Sequence, residues 1–336
     1  MTRALVIGGS GFVGLNVVDA LLAAGLDVRV TRRKKTPTIF LRKRPVELVS
    51  ASLEEPIALR HAMEGCDYVL LAGAHYPRYS LDREGSIAKG VSGVRAACEA
   101  ARDVGVARLV YTSSIATLAR APEGRPADER DAASAIPEDS VYRAVKWAME
   151  REVDLAVSRG LPAVTLLPGG CIGPWDLRLG TAGILVAVAH RALPWWTDGT
   201  VNIVDVGDVA RAHVAALGAK GGSRYCVAGH DVMVRTLLST VVRRYGGAFP
   251  AQPLPPAQAR RRADEEERAA APLHRRVAVP RELVDIACSG QPVSSARAHR
   301  ELGIPDTPLH DALDRAYAWL ERFRYVPPRD KRLEAS

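Results

Sequence analysis

The chain has 336 residues, 47% of them hydrophobic and 25% charged, enough to bury a large core in one α/β domain with a smaller lobe. Its formal charge of +8 is spread among acidic residues rather than gathered in a patch, which argues against nucleic acid and leaves a general attraction for small anions. No apolar run approaches a membrane span, Met1 leads straight towards a strand, and the five scattered cysteines form no CxxC; the expectation is a cytoplasmic protein with reduced thiols and no metal.

In chain order, Ala4 to Ile7 reads as a strand, Gly8, Gly11 and Gly14 as a tight turn, and Phe12 to Ala24 as a helix. Such glycines let the backbone approach a pyrophosphate, and the free N–H groups of the first helical turn, Phe12, Val13 and Gly14, can hold its charge. The next strand, 27 to 31, ends in Arg32 and Arg33, where a dinucleotide-binding unit commonly carries an acidic residue for the adenosine ribose. A guanidinium can grip a 2′-phosphate through two parallel hydrogen bonds. NADP(H) is therefore expected over NAD(H), with a solvated basic loop, 32 to 35, as the alternative.

Strands at 46 to 53 and 66 to 75 flank a helix over Pro56 to Met63, and this alternation predicts a parallel sheet with helices on both faces. Ala72, Gly73 and Ala74 are small enough for a cofactor to lie over the strand end. His75, next to them, is either catalytic or a polar lining residue of a substrate site. A helix from Ile87 to Val104 precedes the strand 107 to 114, whose Ser113 and Ser114 stop at the carboxyl edge of the sheet. A hydroxyl there can steady charge on a carbonyl oxygen, or simply cap the following turn.

Tyr142 and Lys146 are four residues apart in a helical run, so they share a face. An ammonium near a phenol favours the phenolate, which predicts a lowered Tyr142 pKa and a usable proton donor. After the strand 163 to 170 the pattern breaks. Trp175, Trp195 and Trp196 offer either broad faces for a flat apolar substrate or packing for the small lobe. The segment 250 to 258 reads as a proline-rich connection, 260 to 268 as a charged helix with a solvated face, and the residues from Pro327 as a frayed tail.

The Gly8/Gly11/Gly14 turn, the Ser113-Ser114 strand end and the Tyr142/Lys146 pair stand in the order and spacing of the extended short-chain dehydrogenase/reductases, and the chain resembles that superfamily. Within it the similarity is to dihydroflavonol-reductase-like and hopanoid-associated sugar epimerase-like proteins, through YTSSIATL (111 to 118), LPGGCIGPWD (167 to 176) and VDVGDVARAH (204 to 213). The resemblance implies that Ser114 polarises the substrate oxygen, that Tyr142 transfers the proton, and that Lys146 tunes Tyr142 and holds the nicotinamide ribose. It also implies that Pro168 closes over the nicotinamide, with Gly170 on the substrate side. Departures are Ser52, followed by Leu53, where the family carries an adenine-contacting aspartate, Gly90 where it carries an asparagine, and Ala119 where it carries a glycine.

The expected architecture is a Rossmann doubly wound parallel sheet, residues 1–174 with a return at about 201–217, and a smaller C-terminal substrate lobe from 175–200 and 223–326. The expected activity is NADP(H)-dependent reduction of a ketone or aldehyde, or the reverse on a secondary alcohol. Alternatives are a nucleotide-sugar epimerase or dehydratase that uses the cofactor transiently, and a noncatalytic NADP sensor. The expected partner is a largely apolar small molecule, with a homodimer left open.

Overall fold

The computed structural model describes residues 2–34 and 36–329. The chain opens with β1 (Arg3–Ile7), α1 (Phe12–Ala23), β2 (Asp27–Arg32), β3 (Glu47–Ser50), α2 (Pro56–Met63), β4 (Tyr68–Leu71), α3 (Arg83–Val104) and β5 (Arg108–Thr112). It continues with α4 (Val141–Ser158), β6 (Ala163–Pro168), β7 (Gly170–Ile172), α5 (Gly183–Ala189), β8 (Thr200–Asp205), α6 (Val206–Ala215), β9 (Arg224–Val227) and β10 (His230–Met233). The last elements are α7 (Val234–Tyr245), α8 (Pro256–Ala270), α9 (Arg281–Ser289), α10 (Ala296–Leu302) and α11 (Leu309–Arg322).

Seven parallel strands form one sheet in the order β3-β2-β1-β4-β5-β6-β9. Strand order reverses between β1 and β4, and such a switch point opens a crevice at the carboxyl ends of the two strands. Alternation along each strand divides the core. Ala4 and Val6 join Leu15, Val28 and Val209 on one face, while Leu5 and Ile7 join Leu71, Tyr111 and Met149 on the other, as a two-residue side-chain period requires. The Rossmann expectation is met.

The expected domain boundaries need correction. Thr200–Asp205 does not return to the large sheet; it pairs parallel with β7 and antiparallel with β10 in a three-stranded sheet, and the return begins with α6, which packs on α1. Conversely β9, inside the expected lobe, completes the large sheet beside β6. Both strands are short and apolar, and nothing in their composition says which sheet they join. A separate core holds the lobe together, with Leu185, Leu238, Leu313, Tyr317 and Trp319 among its buried members.

Three smaller expectations also change. The proline-rich connection ends early, because Pro256 opens α8, a position where the missing proline N–H costs nothing. The charged helix is not simply a solvated face. Ala259, Ala263, Glu267 and Ala270 are all buried along one side of α8. The chain from Pro327 is tied down as far as Arg329, with Tyr317 Oη donating to the Pro327 carbonyl at 2.9 Å and the Arg329 N–H to Glu321 at 3.0 Å; residues 330–336 of the expected tail, like Lys35 of the basic loop, lie outside the described residues.

Candidate active site

The glycine turn sits at the switch point. Gly8 has φ +88°, a conformation that favours glycine, and a Cβ on it would lie 2.4 Å from the Cα of Gly73. Gly73 is thus required first by the Gly8 backbone opposite, with Ala72 and Ala74 beside it. A Cβ on Gly14 would lie 2.2 Å from the Gly8 carbonyl oxygen. Gly11 differs, since a Cβ there would meet only that oxygen, at 3.3 Å. Gly11 caps α1 with no side-chain hydrogen bond, so the first-turn N–H groups at Phe12 and Val13 face outward from an uncrowded turn. This is the form that holds a phosphate group.

Arg32 ends β2 and Arg33 follows it, and neither makes an ion pair or side-chain hydrogen bond with any other described residue. Ser52 donates its hydroxyl to Glu55 at 2.9 Å. Leu53 packs against α3, where a Cβ on Gly93 would come within 3.1 Å of it. At Gly90 a Cβ would lie 2.9 Å from the Met149 sulfur and 3.3 Å from Val145. An asparagine there would wedge α3 from α4, so close helix packing explains this departure.

Ser113 and Ser114 point to opposite sides of the strand end, again by two-residue alternation. Ser114, 7% exposed, lies close enough to the Tyr142 phenol to act on it, and its Oγ accepts from the Ala116 N–H at 3.2 Å. Ser113 instead donates to Glu150. Tyr142, Lys146 and Glu150 recur every four residues along α4, which Ser140 caps by accepting from the Arg143 N–H. Glu150, 1% exposed, also accepts from Thr117 Oγ1 at 2.9 Å and pairs with Arg224. It was not anticipated, although its spacing from Lys146 was legible.

Burial lowers the Lys146 ammonium to about 8, opposed by Glu150 and then Glu282. Its Nζ donates to the Thr112 carbonyl at 3.2 Å. Burial first, and the Glu282 carboxyl second, push the Tyr142 phenol up, against the lowering influence of the Ser114 hydroxyl. The expected lowering by Lys146 does not occur among the chain's own groups: Lys146 is not among those that shift the phenol, and desolvation of the phenolate is the largest cause.

Thr112 also meets His213 on α6, with 2.7 Å between Thr112 Oγ1 and Nε2, and the ring's Nδ1 lies 2.8 Å from the Val209 carbonyl. The imidazole is fully buried and burial lowers its pKa to about 4, so the neutral ring donates from Nδ1 and accepts from Thr112. Below about pH 6.5 the unfolded chain takes up a proton that the folded chain refuses until about pH 4. Acidification across that window is therefore expected to remove up to about 3 kcal/mol of stability. Urea unfolding at pH 7 and pH 4.5 checks it, since His213→Gln should flatten the pH slope relative to the parent; equal slopes would contradict it.

A second wall comes from the lobe. Tyr76, in the loop after β4, donates its hydroxyl to Glu282 on the first turn of α9, and its ring centre is 5.4 Å from that of Tyr142. Tyr76 remains 54% exposed although protein surrounds it, as a side chain lining an open cleft does. Burial raises the Glu282 carboxyl to about 7, opposed by the Tyr76 hydrogen bond and by Lys146. No local feature of the sequence announced Glu282 or Tyr76. His75 sits at the same strand end; burial lowers its pKa, helped by Lys89, and its Nε2 is buried without a hydrogen-bond partner among the described residues.

The three tryptophans expected to face substrate do not. Trp195 is 2% and Trp196 5% exposed: the first packs with Ala259, Ala263 and Val284 and donates to Glu266 at 3.0 Å, the second packs edge-on against Phe249. Trp175 packs at steep ring angles among Phe40, Trp319 and Phe323 under the Arg44 guanidinium, joining α11 to the large domain. Large indoles gain more by filling these cores than by lining an open cleft. Pro168 ends β6 beside Val227. Gly170 lets β7 approach β8, since a Cβ there would lie 2.8 Å from the Asn202 carbonyl oxygen.

Residues 4–228 match the model of the NAD dependent epimerase/dehydratase family. A Synechocystis sp. protein with the provisional name dihydroflavonol 4-reductase is 30% identical over 96% of this chain and 95% of its own length. Sterol demethylase protein B of Methylococcus capsulatus is 30% identical over 94% of this chain and 97% of its own. Among solved structures, a nucleoside-diphosphate-sugar epimerase from Pseudomonas aeruginosa superposes with a TM-score of 0.81 at 25% identity, over 97% of this chain and 99% of that one. With the glycine turn at the switch point and a fold shared over nearly its whole length, the chain belongs to the NAD dependent epimerase/dehydratase family, enzymes of the extended short-chain dehydrogenase/reductase type that bind NAD(P) and act as oxidoreductases.

Proposed function

We propose that the protein is an NADP(H)-dependent reductase of an uncharged, largely apolar carbonyl compound, reversible on the corresponding secondary alcohol. The observation that carries this is the Ser114 hydroxyl beside the Tyr142 phenol, with Lys146 one turn further along α4 and its Nζ on the Thr112 carbonyl at 3.2 Å. A carbonyl oxygen placed against the two hydroxyls would take its proton from Tyr142 and be steadied by Ser114. When bound, the cofactor supplies the hydride; Gly11, Phe12 and Val13 would hold its pyrophosphate, and Lys146 its nicotinamide ribose.

Reduction is favoured over nucleotide-sugar chemistry by the wall opposite Tyr142. That wall carries Glu282, whereas a diphosphate needs paired cationic donors. Two relatives matched over nearly their whole length carry the names dihydroflavonol 4-reductase and sterol demethylase protein B, in keeping with an apolar substrate. One observation favours a redox-neutral epimerase instead, the likeness to the Pseudomonas enzyme. Stoichiometry separates them: a reductase consumes one NADPH per product, while an epimerase turns over repeatedly with no net absorbance change at 340 nm. Redox-neutral turnover of a nucleotide sugar would overturn the reductase reading.

Cofactor choice rests on Arg32 and Arg33, whose side chains have no partner among the described residues. NADPH is expected to bind at least tenfold tighter than NADH, about 1.4 kcal/mol, less than one charge-assisted phosphate contact can supply. Arg32→Ala should erase most of the difference in a calorimetric titration. Equal affinities in the parent would return Arg32 to the role of a solvated surface charge.

A further inference from the structure

Glu282 is held in place more firmly than a solvated lobe residue needs to be. The buried Glu267 of α8 accepts from the Arg281 N–H at 2.9 Å and from the Ser80 N–H at 2.6 Å, so one carboxylate ties α9 to the loop that carries Tyr76. Arg281 reaches Asp264 at 2.5 Å and Asp285 at 3.0 Å, which fixes the first turn of α9 from its other side. The loop is held again by Tyr79 Oη on the Arg275 carbonyl at 2.5 Å and by Arg78 on that of His274. A recognition group is useful only when its neighbours fix it in this way.

What is fixed is an acceptor with spare capacity. Glu282 Oε1 takes the Tyr76 hydroxyl, while Oε2 accepts no hydrogen bond from any described residue. The carboxyl is close enough to the Ser114, Tyr142 and Lys146 group to shift both Tyr142 and Lys146. Glu282 is partly exposed, so Oε2 lies where an incoming donor can reach it. Leu283 and Val284 cannot supply one, and Arg281 is committed to Asp264 and Asp285.

We propose that Glu282, positioned through Tyr76, is a specificity-determining residue that accepts a hydrogen bond from a substrate hydroxyl close to the reacting carbon. The preferred substrates are then uncharged α-hydroxy carbonyl compounds, or the matching diols in reverse, and phosphate-bearing molecules are disfavoured. The inference rests on the reductase reading for which carbon reacts, but not for the recognition itself. A phosphate brought to this wall would face Glu282, and like charges at close range discriminate strongly.

The test is a calorimetric comparison of α-hydroxyacetophenone with its O-methyl ether, which keeps the shape of the ketone but loses the donor. Both are titrated into the full chain saturated with whichever oxidised nicotinamide cofactor binds more tightly. The parent is expected to bind the hydroxy ketone at least fivefold tighter. Glu282→Leu should bring the two affinities within about twofold of each other, as expected for loss of one charge-assisted hydrogen bond. Glu282→Gln, nearly the same shape with a weaker acceptor, should narrow the gap in part and serves if the leucine variant does not fold. A parent without the preference, including one that binds neither ketone, overturns the proposal, as does an unchanged ratio in the variants. Consumption of NADPH is read separately: preference without turnover would sink the reductase reading and leave the recognition site standing.

Discussion

Tyr142→Phe is expected to lower kcat by roughly 10² to 10⁴, the range that a positioned general acid contributes, while cofactor affinity stays within a few-fold of the parent. The phenol hydroxyl lies near Ser114, where the proposed mechanism puts the carbonyl oxygen; the ring, which packs against Tyr76, survives the change. Lys146→Ala should lose both turnover and cofactor affinity, since in the proposed role the ammonium holds the nicotinamide ribose beside the reacting groups. Burial lowers the lysine to about 8, so its charge, and with it the affinity for cofactor, should fall as pH rises through that value. Steady-state kinetics and cofactor titration of the two variants check this. Near-full activity in Tyr142→Phe would remove it as proton donor.

Much of this site was legible because it depends on local spacing. Three glycines after a first strand, a serine pair at the end of a later one, and a tyrosine and lysine one helical turn apart each carry a geometric meaning that needs no knowledge of the rest of the chain. The lobe's contribution was not legible. Tyr76 and Glu282 are 206 residues apart and meet only because α8 and α9 fold back over the β4 strand end, and neither residue sits in a pattern that marks it. The tryptophans misled for a related reason. An indole is equally at home against a ligand or in a core, and only the neighbours of Trp195 and Trp196 decide between the two. Strand assignment failed at β8 and β9 because hydrophobic alternation tells which faces are buried and not which strand lies alongside.

Between what was read and what was missed stands Glu150, whose loss should be the most damaging single change away from the reacting groups. Its carboxylate, 1% exposed, gathers Ser113, Thr117 and Arg224, and so fixes the strand end that presents Ser114 while supporting the charge on Lys146. Glu150→Ala leaves Arg224 in a largely buried place without its partner, which costs about 3–5 kcal/mol and should lower the melting temperature by on the order of 10 °C. Glu150→Gln separates structure from electrostatics, because it keeps two of the hydrogen bonds but not the negative charge. Since that charge raises the Lys146 pKa, its removal should move the alkaline fall in cofactor affinity to lower pH, an effect that a purely structural residue would not produce. An unmoved alkaline limb in Glu150→Gln, together with an unchanged melting temperature in Glu150→Ala, would show that neither the strand end nor Lys146 depends on it.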